Sequence, residues 1–248
     1  MSINIYHTLA FLDMILYTLV WLVIRMNEEQ RYKHELWIYV PLAISGGFME
    51  IYAFLSRDGI FANAQTGNLA ILFKSVCAGS VLGALYCFVP IILYMSAIYI
   101  TMEVPARMKN AIKWSELCIL IEMILIFIVG LIPETVPGRY AVLPIFFMTA
   151  LQYNTFKSMR GQAVSTVFCT NNLRQVVIHF WRFKENKDTQ HIKYMNVYVI
   201  VLLSFGFGVM LGFLSNDRLA EKAVWICEIF MLPVLHRLHV HGKLFVEV

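Results

Sequence analysis

Long apolar runs alternate with short polar stretches along this chain. The runs cover residues 3–24, 36–55, 81–102, 114–132, 140–157, 194–214 and 223–235. About 20 apolar residues carry a helix across a bilayer, so these runs predict up to seven helical crossings. Two shorter pieces, 66–76 and 170–183, are too short or too charged at one end to cross alone. Pro133 and Pro137-Gly138 punctuate one connection, and Asn216-Asp217-Arg218 marks another.

The polar stretches are related to each other. Residues 46–69 read GGFMEIYAFLSRDGIFANAQTGNL, and residues 149–173 read TALQYNTFKSMRGQAVSTVFCTNNL. With Gly59 on Gly161, Phe54 meets Phe156 and Glu50 meets Gln152. Two extra residues in the second copy bring Thr66-Gly67-Asn68-Leu69 onto Thr170-Asn171-Asn172-Leu173. Further on, Glu122 in ILIEMILI matches Glu228 in WICEIFML. The predicted fold is therefore all-α: a polytopic transmembrane helix bundle with an internal repeat and two short broken or re-entrant helices. Each copy has three crossings if its short helix dips in and returns, and an odd number inverts the second copy. If the short helix crosses, the repeat is parallel. The expected organisation is an extra N-terminal transmembrane helix and charged loop (1–35), then a membrane domain (36–248). That domain holds two repeats, about 36–135 and 138–238, and a short basic C-terminal tail.

Composition agrees with a membrane class. Of 248 residues, 59% are hydrophobic and 15% charged, with mean hydropathy +0.67. A soluble domain is nearer half apolar and a quarter charged. The net charge of +4 suits basic cytoplasmic loops, not nucleic-acid binding. With seven single crossings, fifteen of the twenty Lys and Arg residues fall on one side. The other five are Arg57, Lys74, Arg139, Arg218 and Lys222. The positive-inside rule makes the first side cytoplasmic, with the N-terminus outside and the C-terminus inside. No Lys or Arg precedes the first run, and no small-residue cleavage site follows it, so a retained helix is expected there instead of a signal peptide.

Little here points to covalent chemistry. The five cysteines (Cys77, Cys87, Cys118, Cys169, Cys227) are scattered and form no CxxC pair. No nucleophile elbow, HExxH or P-loop is visible, so no enzyme activity and no cofactor are expected. His236, His239 and His241 read as residues of a basic tail before they read as a metal site. Asp13 and His7 on the first run are weak candidates for charge coupling. Gly208 and Gly212 form a GxxxG that permits close helix packing.

The polar breaks carry the functional reading. Irregular backbone at membrane depth survives only where it is buried in protein or lines a cavity. Gly59 and Gly67 permit sharp reversals. Thr66 and Thr170 are expected N-caps of the two short helices, whose exposed N–H groups favour anions. Expected solute-binding residues are Asn63, Gln65, Thr66, Gly67, Asn68, Gln152, Asn154, Thr170, Asn171 and Asn172. Expected charge or proton-coupling residues are Glu50, Glu122, Glu228, Arg57, Arg160 and Arg174. These features suggest a transporter or channel-like permease for a small anion or polar solute. The competing reading is a non-transporting scaffold or sensor whose polar groups satisfy one another. The lipid bilayer is the expected partner, with a homo-oligomer as a further option.

The string GGFMEIYAFLSRDGIFANAQTGNLAIL resembles the hallmark of the YoaK family of bacterial inner-membrane proteins of unknown function. LQYNTFKSMRGQAVSTVFCTNNLRQ resembles its second hallmark. The similarity covers roughly residues 35–235. This chain departs from the family pattern at Glu50, where Asp is usual, and at Thr170-Asn171-Asn172-Leu173, where TGxL is usual. The run 3–24 looks like an addition to the common core. The resemblance implies a membrane fold and a bacterial inner-membrane location, and it supplies no activity.

Overall fold

A computed structural model describes residues 3–108 and 111–241, with side chains over 28–108 and 114–240. The side chains of His7, Asp13 and His241 lie outside the described residues. The order is α1 (Ile3–Ser56), α2 (Gln65–Cys77), α3 (Val81–Arg107), α4 (Ala111–Leu131), α5 (Gly138–Ala141) and α6 (Leu143–Thr155). A two-stranded hairpin follows, β1 (Ser158–Met159) with β2 (Gln162–Ala163). Then come α7 (Thr170–Asn186), α8 (Thr189–Leu219), a 3₁₀ turn (Ala220–Trp225) and α9 (Ile226–His241). Among the described residues, four stretches are long and apolar enough to cross a membrane: Glu28–Ser56, Val81–Arg107, Trp114–Leu131 and Thr189–Val240. The last of these contains α8, the 3₁₀ turn and most of α9.

One expected boundary is absent. A loop was predicted before residue 36, yet α1 is helical throughout its 54 residues. The intervening NEEQRYKHEL has no Gly or Pro and is rich in helix formers. Arg31 also pairs with Glu35 one turn on, at 3.4 Å. At about 1.5 Å per residue, 54 residues reach about 81 Å, against a hydrocarbon core of about 30 Å. One bilayer therefore cannot hold crossings by both 3–24 and 36–55 on this unbroken helix. The N-terminus-outside expectation lacks the turn it requires.

Glycines set the main seam. α1 lies along α8, and a Cβ on Gly47 would sit 2.0 Å from the Phe205 carbonyl oxygen. A Cβ on Gly208 would sit 1.9 Å from the Ile44 oxygen, and one on Gly212 would sit 2.4 Å from the Ile51 side chain. The GxxxG thus packs α8 onto α1 within one chain. Other neighbours are α3 with α6, α1 with α9, α4 with α6, α4 with α9, α2 with α3 and α7 with α8. Exchanging α1 with α6, α2 with α7, α3 with α8 and α4 with α9 returns the same set of neighbours. The core is filled by Leu42, Phe48, Met49, Tyr52, Ile119, Ile126, Ile145, Phe146, Met148, Leu151 and Tyr198.

Contacts also fix which ends meet. At one end, the buried Arg57 donates from Nη2 to the Ile132 oxygen at 2.7 Å, and Asp58 Oδ2 accepts from Gly138 N–H at 2.6 Å. Tyr52 O–H donates to the Glu221 oxygen there, at 3.0 Å. At the opposite end, Tyr39 O–H donates to the Ser158 oxygen at 2.6 Å, Arg160 N–H donates to Glu35 Oε2 at 2.7 Å, and Trp114 Nε1–H donates to Thr155 at 3.1 Å. α1 and α6 are therefore antiparallel.

Candidate functional site

Each half reverses through a pair of left-handed residues. After α1, Asp58 and Gly59 have φ of 59° and 70°. In the second half, Arg160 and Gly161 have φ of 53° and 71°. The first pair ends a helix, with Gly59 N–H donating to the Phe54 oxygen at 3.1 Å, a Schellman-like closure. The second pair forms the two-residue tip of the β1–β2 hairpin. From each reversal the chain returns to the middle of α1.

There the two breaks join. Asn63 is buried, and its Nδ2 donates to the Gly46 oxygen at 3.0 Å and to the Val167 oxygen at 3.1 Å. One amide thus ties the first break to both α1 and the second break. Gln152 from α6 repeats the arrangement one turn away. Its Nε2 donates to the Leu42 oxygen at 3.1 Å and to Thr166 Oγ1 at 2.7 Å. Only glycine fits at position 46, since a Cβ there would lie 2.3 Å from the Thr166 oxygen. Glu50 accepts from Asn63 N–H at 2.9 Å and from Ala62 N–H. Its alignment partner Gln152 therefore occupies a corresponding place.

Among the described residues, the amide nitrogens of this junction are satisfied, and several oxygens are not. Asn63 Oδ1, Gln152 Oε1 and Ser45 Oγ are buried with no hydrogen-bond partner. The amide orientation is set because each nitrogen faces at least one backbone carbonyl. A buried amide oxygen without a donor costs about 1–3 kcal/mol, so Asn63 and Gln152 each lack one, while the Ser45 hydroxyl leaves its own O–H unused.

The other expected site residues divide by place. Gln65 Oε1 accepts from Asn68 Nδ2 at 3.0 Å on the first turn of α2. Thr66, Gly67, Thr170 and Asn171 are exposed. Neither threonine is an N-cap: α2 is preceded by Ala64 and α7 by Cys169, and neither makes a side-chain cap bond. α2 begins one residue before the capping position that the sequence suggested, and α7 begins at it. Asn172 is buried and closes its own loop, with Nδ2 donating to the Ser165 oxygen at 2.6 Å and Oδ1 accepting from Ser165 N–H at 3.3 Å. Asn154 donates to Thr101 Oγ1 at 2.5 Å, joining α6 to α3.

The charged candidates do not converge. Arg57 is 1% exposed and serves the C-terminal end of α4, donating to Val129, Ile132 and Pro133 carbonyls and to Tyr52. Arg160 sits at the opposite end, paired with Glu29 at 2.8 Å and 4.5 Å from the Tyr32 ring. Arg174 is exposed on α7. Glu122 is fully buried on α4; its Oε1 accepts from Cys118 at 3.3 Å and its Oε2 has no partner. Glu228 on α9 has a buried, unpartnered Oε1. His239 Nδ1 stands 3.6 Å from Glu116.

Two groups of residues were not singled out from sequence. Ser165, Thr166 and Val167 build the second break, and the only sequence signal was their position in the second polar stretch, between Gly161 and Thr170. The other group is a histidine pair between the middle of α7 and the first turn of α8: His179 Nδ1 lies 3.1 Å from His191 Nδ1. Tyr194 and Tyr198 flank His179, at ring separations of 5.4 and 5.8 Å. Burial, then the charges of His191 and Arg182, push the His179 imidazole below its ordinary value of 6.5. A lowered value means that the unfolded chain binds the proton first. The stabilisation is present above about pH 6.5 and is lost as pH falls through the lowered value. Melting temperature against pH is expected to slope less steeply below pH 6.5 in His179→Gln than in the parent.

A family model described as "Protein of unknown function (DUF1275)" matches residues 38–236. No curated protein and no solved structure matches the chain.

Proposed function

Since the chain belongs to the DUF1275 family of proteins of unknown function, its activity must be read from its own geometry, and we propose that it is a membrane permease for a small polar solute. One observation carries this reading. Two buried oxygens, Asn63 Oδ1 from the first break and Gln152 Oε1 from α6, lack donors where the breaks meet. A solute that donates hydrogen bonds, such as a neutral amide, a polyol or an ammonium-type cation, satisfies them. The anion of the sequence reading has less support, because Arg57 and Arg160 serve opposite ends of the bundle and Arg174 is exposed.

The proposed architecture is an inverted repeat with α2 and α7 entering from opposite faces to mid-depth, the arrangement in which transporters place their sites. The exchange of equivalent neighbours and the paired left-handed turns support it. The end carrying Arg107, Arg160, Lys184 and Arg237 is proposed to be cytoplasmic by the positive-inside rule. The YoaK resemblance suggests a bacterial inner membrane. Glu122 and Glu228 remain the proposed coupling carboxyls.

A second reading has its own observation. Asn63 Nδ2 and both polar ends of Asn172 are fully used inside the chain, as expected for a scaffold held by structural polar contacts. Liposome flux separates the two. The full chain is tested against amides, polyols, methylammonium and inorganic anions, with Gln152→Met beside Asn154→Ala. Losing an acceptor contact worth about 1.4 kcal/mol lowers flux about tenfold in Gln152→Met, with Asn154→Ala near the parent. Flux no greater than empty liposomes for every solute, with Gln152→Met changing only the melting temperature, would overturn the permease reading in favour of the scaffold.

A further inference from the structure

The end of the bundle where α3 and α5 begin carries two apolar hollows side by side. One, of about 340 Å³, lies between α2 and α3 and is lined by Leu72, Val76, Val81, Ala84, Leu85 and Phe88. The other, of about 210 Å³, lies between α3 and α6, lined by Leu82, Leu85, Val89 and Leu143, with Tyr86, Arg139 and Tyr140 beside them. Leu85 belongs to both, so the first turns of α3 form the ridge between them.

Arg139 stands against the rings of the second hollow. Its guanidinium carbon is 4.1 Å from the centre of the Tyr86 ring and 5.4 Å from that of Tyr140. The two rings meet edge to face at 5.9 Å, and their hydroxyls hydrogen-bond to each other. Arg139 hydrogen-bonds the Tyr140 hydroxyl, and a guanidinium held over an aromatic face keeps its remaining in-plane N–H groups for a further partner. Among the described residues, no carboxylate pairs with Arg139. Lys74 in the last turn of α2 adds a second positive charge toward this end.

We propose that this is a binding site for an anionic phospholipid, its two acyl chains in the hollows astride α3 and its phosphate on Arg139. Charge complementarity selects the occupant. The walls are apolar, with Val76, Val81, Leu82 and Phe88 exposed, and the group at the rim is a cation without a carboxylate partner whose planar donors fit a phosphate. This site does not depend on the permease reading, since it lies on the outer face of α3, away from Asn63 and Gln152.

The test uses the full-length protein in lipid vesicles with spin-labelled phosphatidylglycerol and phosphatidylcholine, reading the relative association of each by electron paramagnetic resonance. One interfacial basic residue gives about a five-fold preference for the anionic lipid. Arg139→Gln is expected to abolish that preference, Arg139→Lys to keep part of it, and Lys222→Gln, at the same end but outside the hollows, to keep it whole. The proposal is overturned if the parent shows no preference or if Arg139→Gln retains it. It is also overturned if glycerol phosphate alone competes as well as the whole lipid, or if Arg139→Gln changes the oligomeric state at matched lipid content, which would assign the hollows to a second copy of the chain.

Discussion

Gly208→Ala is expected to lower stability by about 3 kcal/mol or more, the upper end of the range for overpacked sites. The new methyl carbon would lie 1.9 Å from the Ile44 oxygen and 2.8 Å from its carbonyl carbon. Both atoms belong to the backbone of α1, so no rotamer change relieves the contact. The helices must separate, and the whole α1–α8 seam loosens with them. Gly47→Ala acts from the other side, against Phe205, and is expected to match it. Gly206→Ala is the control, since nothing lies within 4 Å of its Cβ position. Replacing that helical glycine by alanine is expected to be neutral or to stabilise by up to about 1 kcal/mol. Unfolding in detergent followed by far-ultraviolet circular dichroism measures all three. Equal effects at 206 and 208 would show that α1 and α8 do not pack as described.

Arg57→Met is expected to cost about 3 kcal/mol or more as well, for an electrostatic reason. The side chain is buried at a helix C-terminus, where the last carbonyls are unpaired and the dipole is negative. Methionine fills much of the volume and donates nothing. It leaves the Val129, Ile132 and Pro133 oxygens without their shared donor, at about 1–3 kcal/mol for each that water does not reach. Arg57→Lys keeps the charge but not the fan of donors, and an intermediate loss is expected. Because Arg57 is not at the junction, whatever protein folds should transport at the parental rate per molecule. A flux defect in Arg57→Lys without loss of folded protein would return this residue to the solute path.

Arg57 also shows how a sequence reading goes astray. An arginine beside a polar break invites a functional role, because charges are rare in apolar chains. Its actual partners are carbonyls 72 to 76 residues away, and no local pattern announces a carbonyl as an acceptor. Thr66 and Thr170 failed for a nearer reason. A threonine before an apolar stretch looks like a cap, but the helices start at Gln65 and at Thr170 itself. Asn63 and Gln152 were expected on the strength of their polarity, and the structure brings them to adjacent turns of α1. Thr166 and Val167 were missed because in sequence they are ordinary members of the second polar stretch. The loop expected at 25–35 was inferred from charge, yet those charged residues are also good helix formers.

The sequence alone determined the apolar runs, the polar breaks between them and the likeness of the two polar strings. Hydropathy and composition act through neighbours along the chain, so a linear reading captures them. Only the tertiary structure decided that Asn63 reaches Val167, that Gly46 admits the Thr166 carbonyl, and that the amide oxygens at the junction are left without donors. Those facts depend on how closely α1 approaches α8 and the second break. That distance is set by missing Cβ atoms on facing backbones, between residues more than a hundred positions apart.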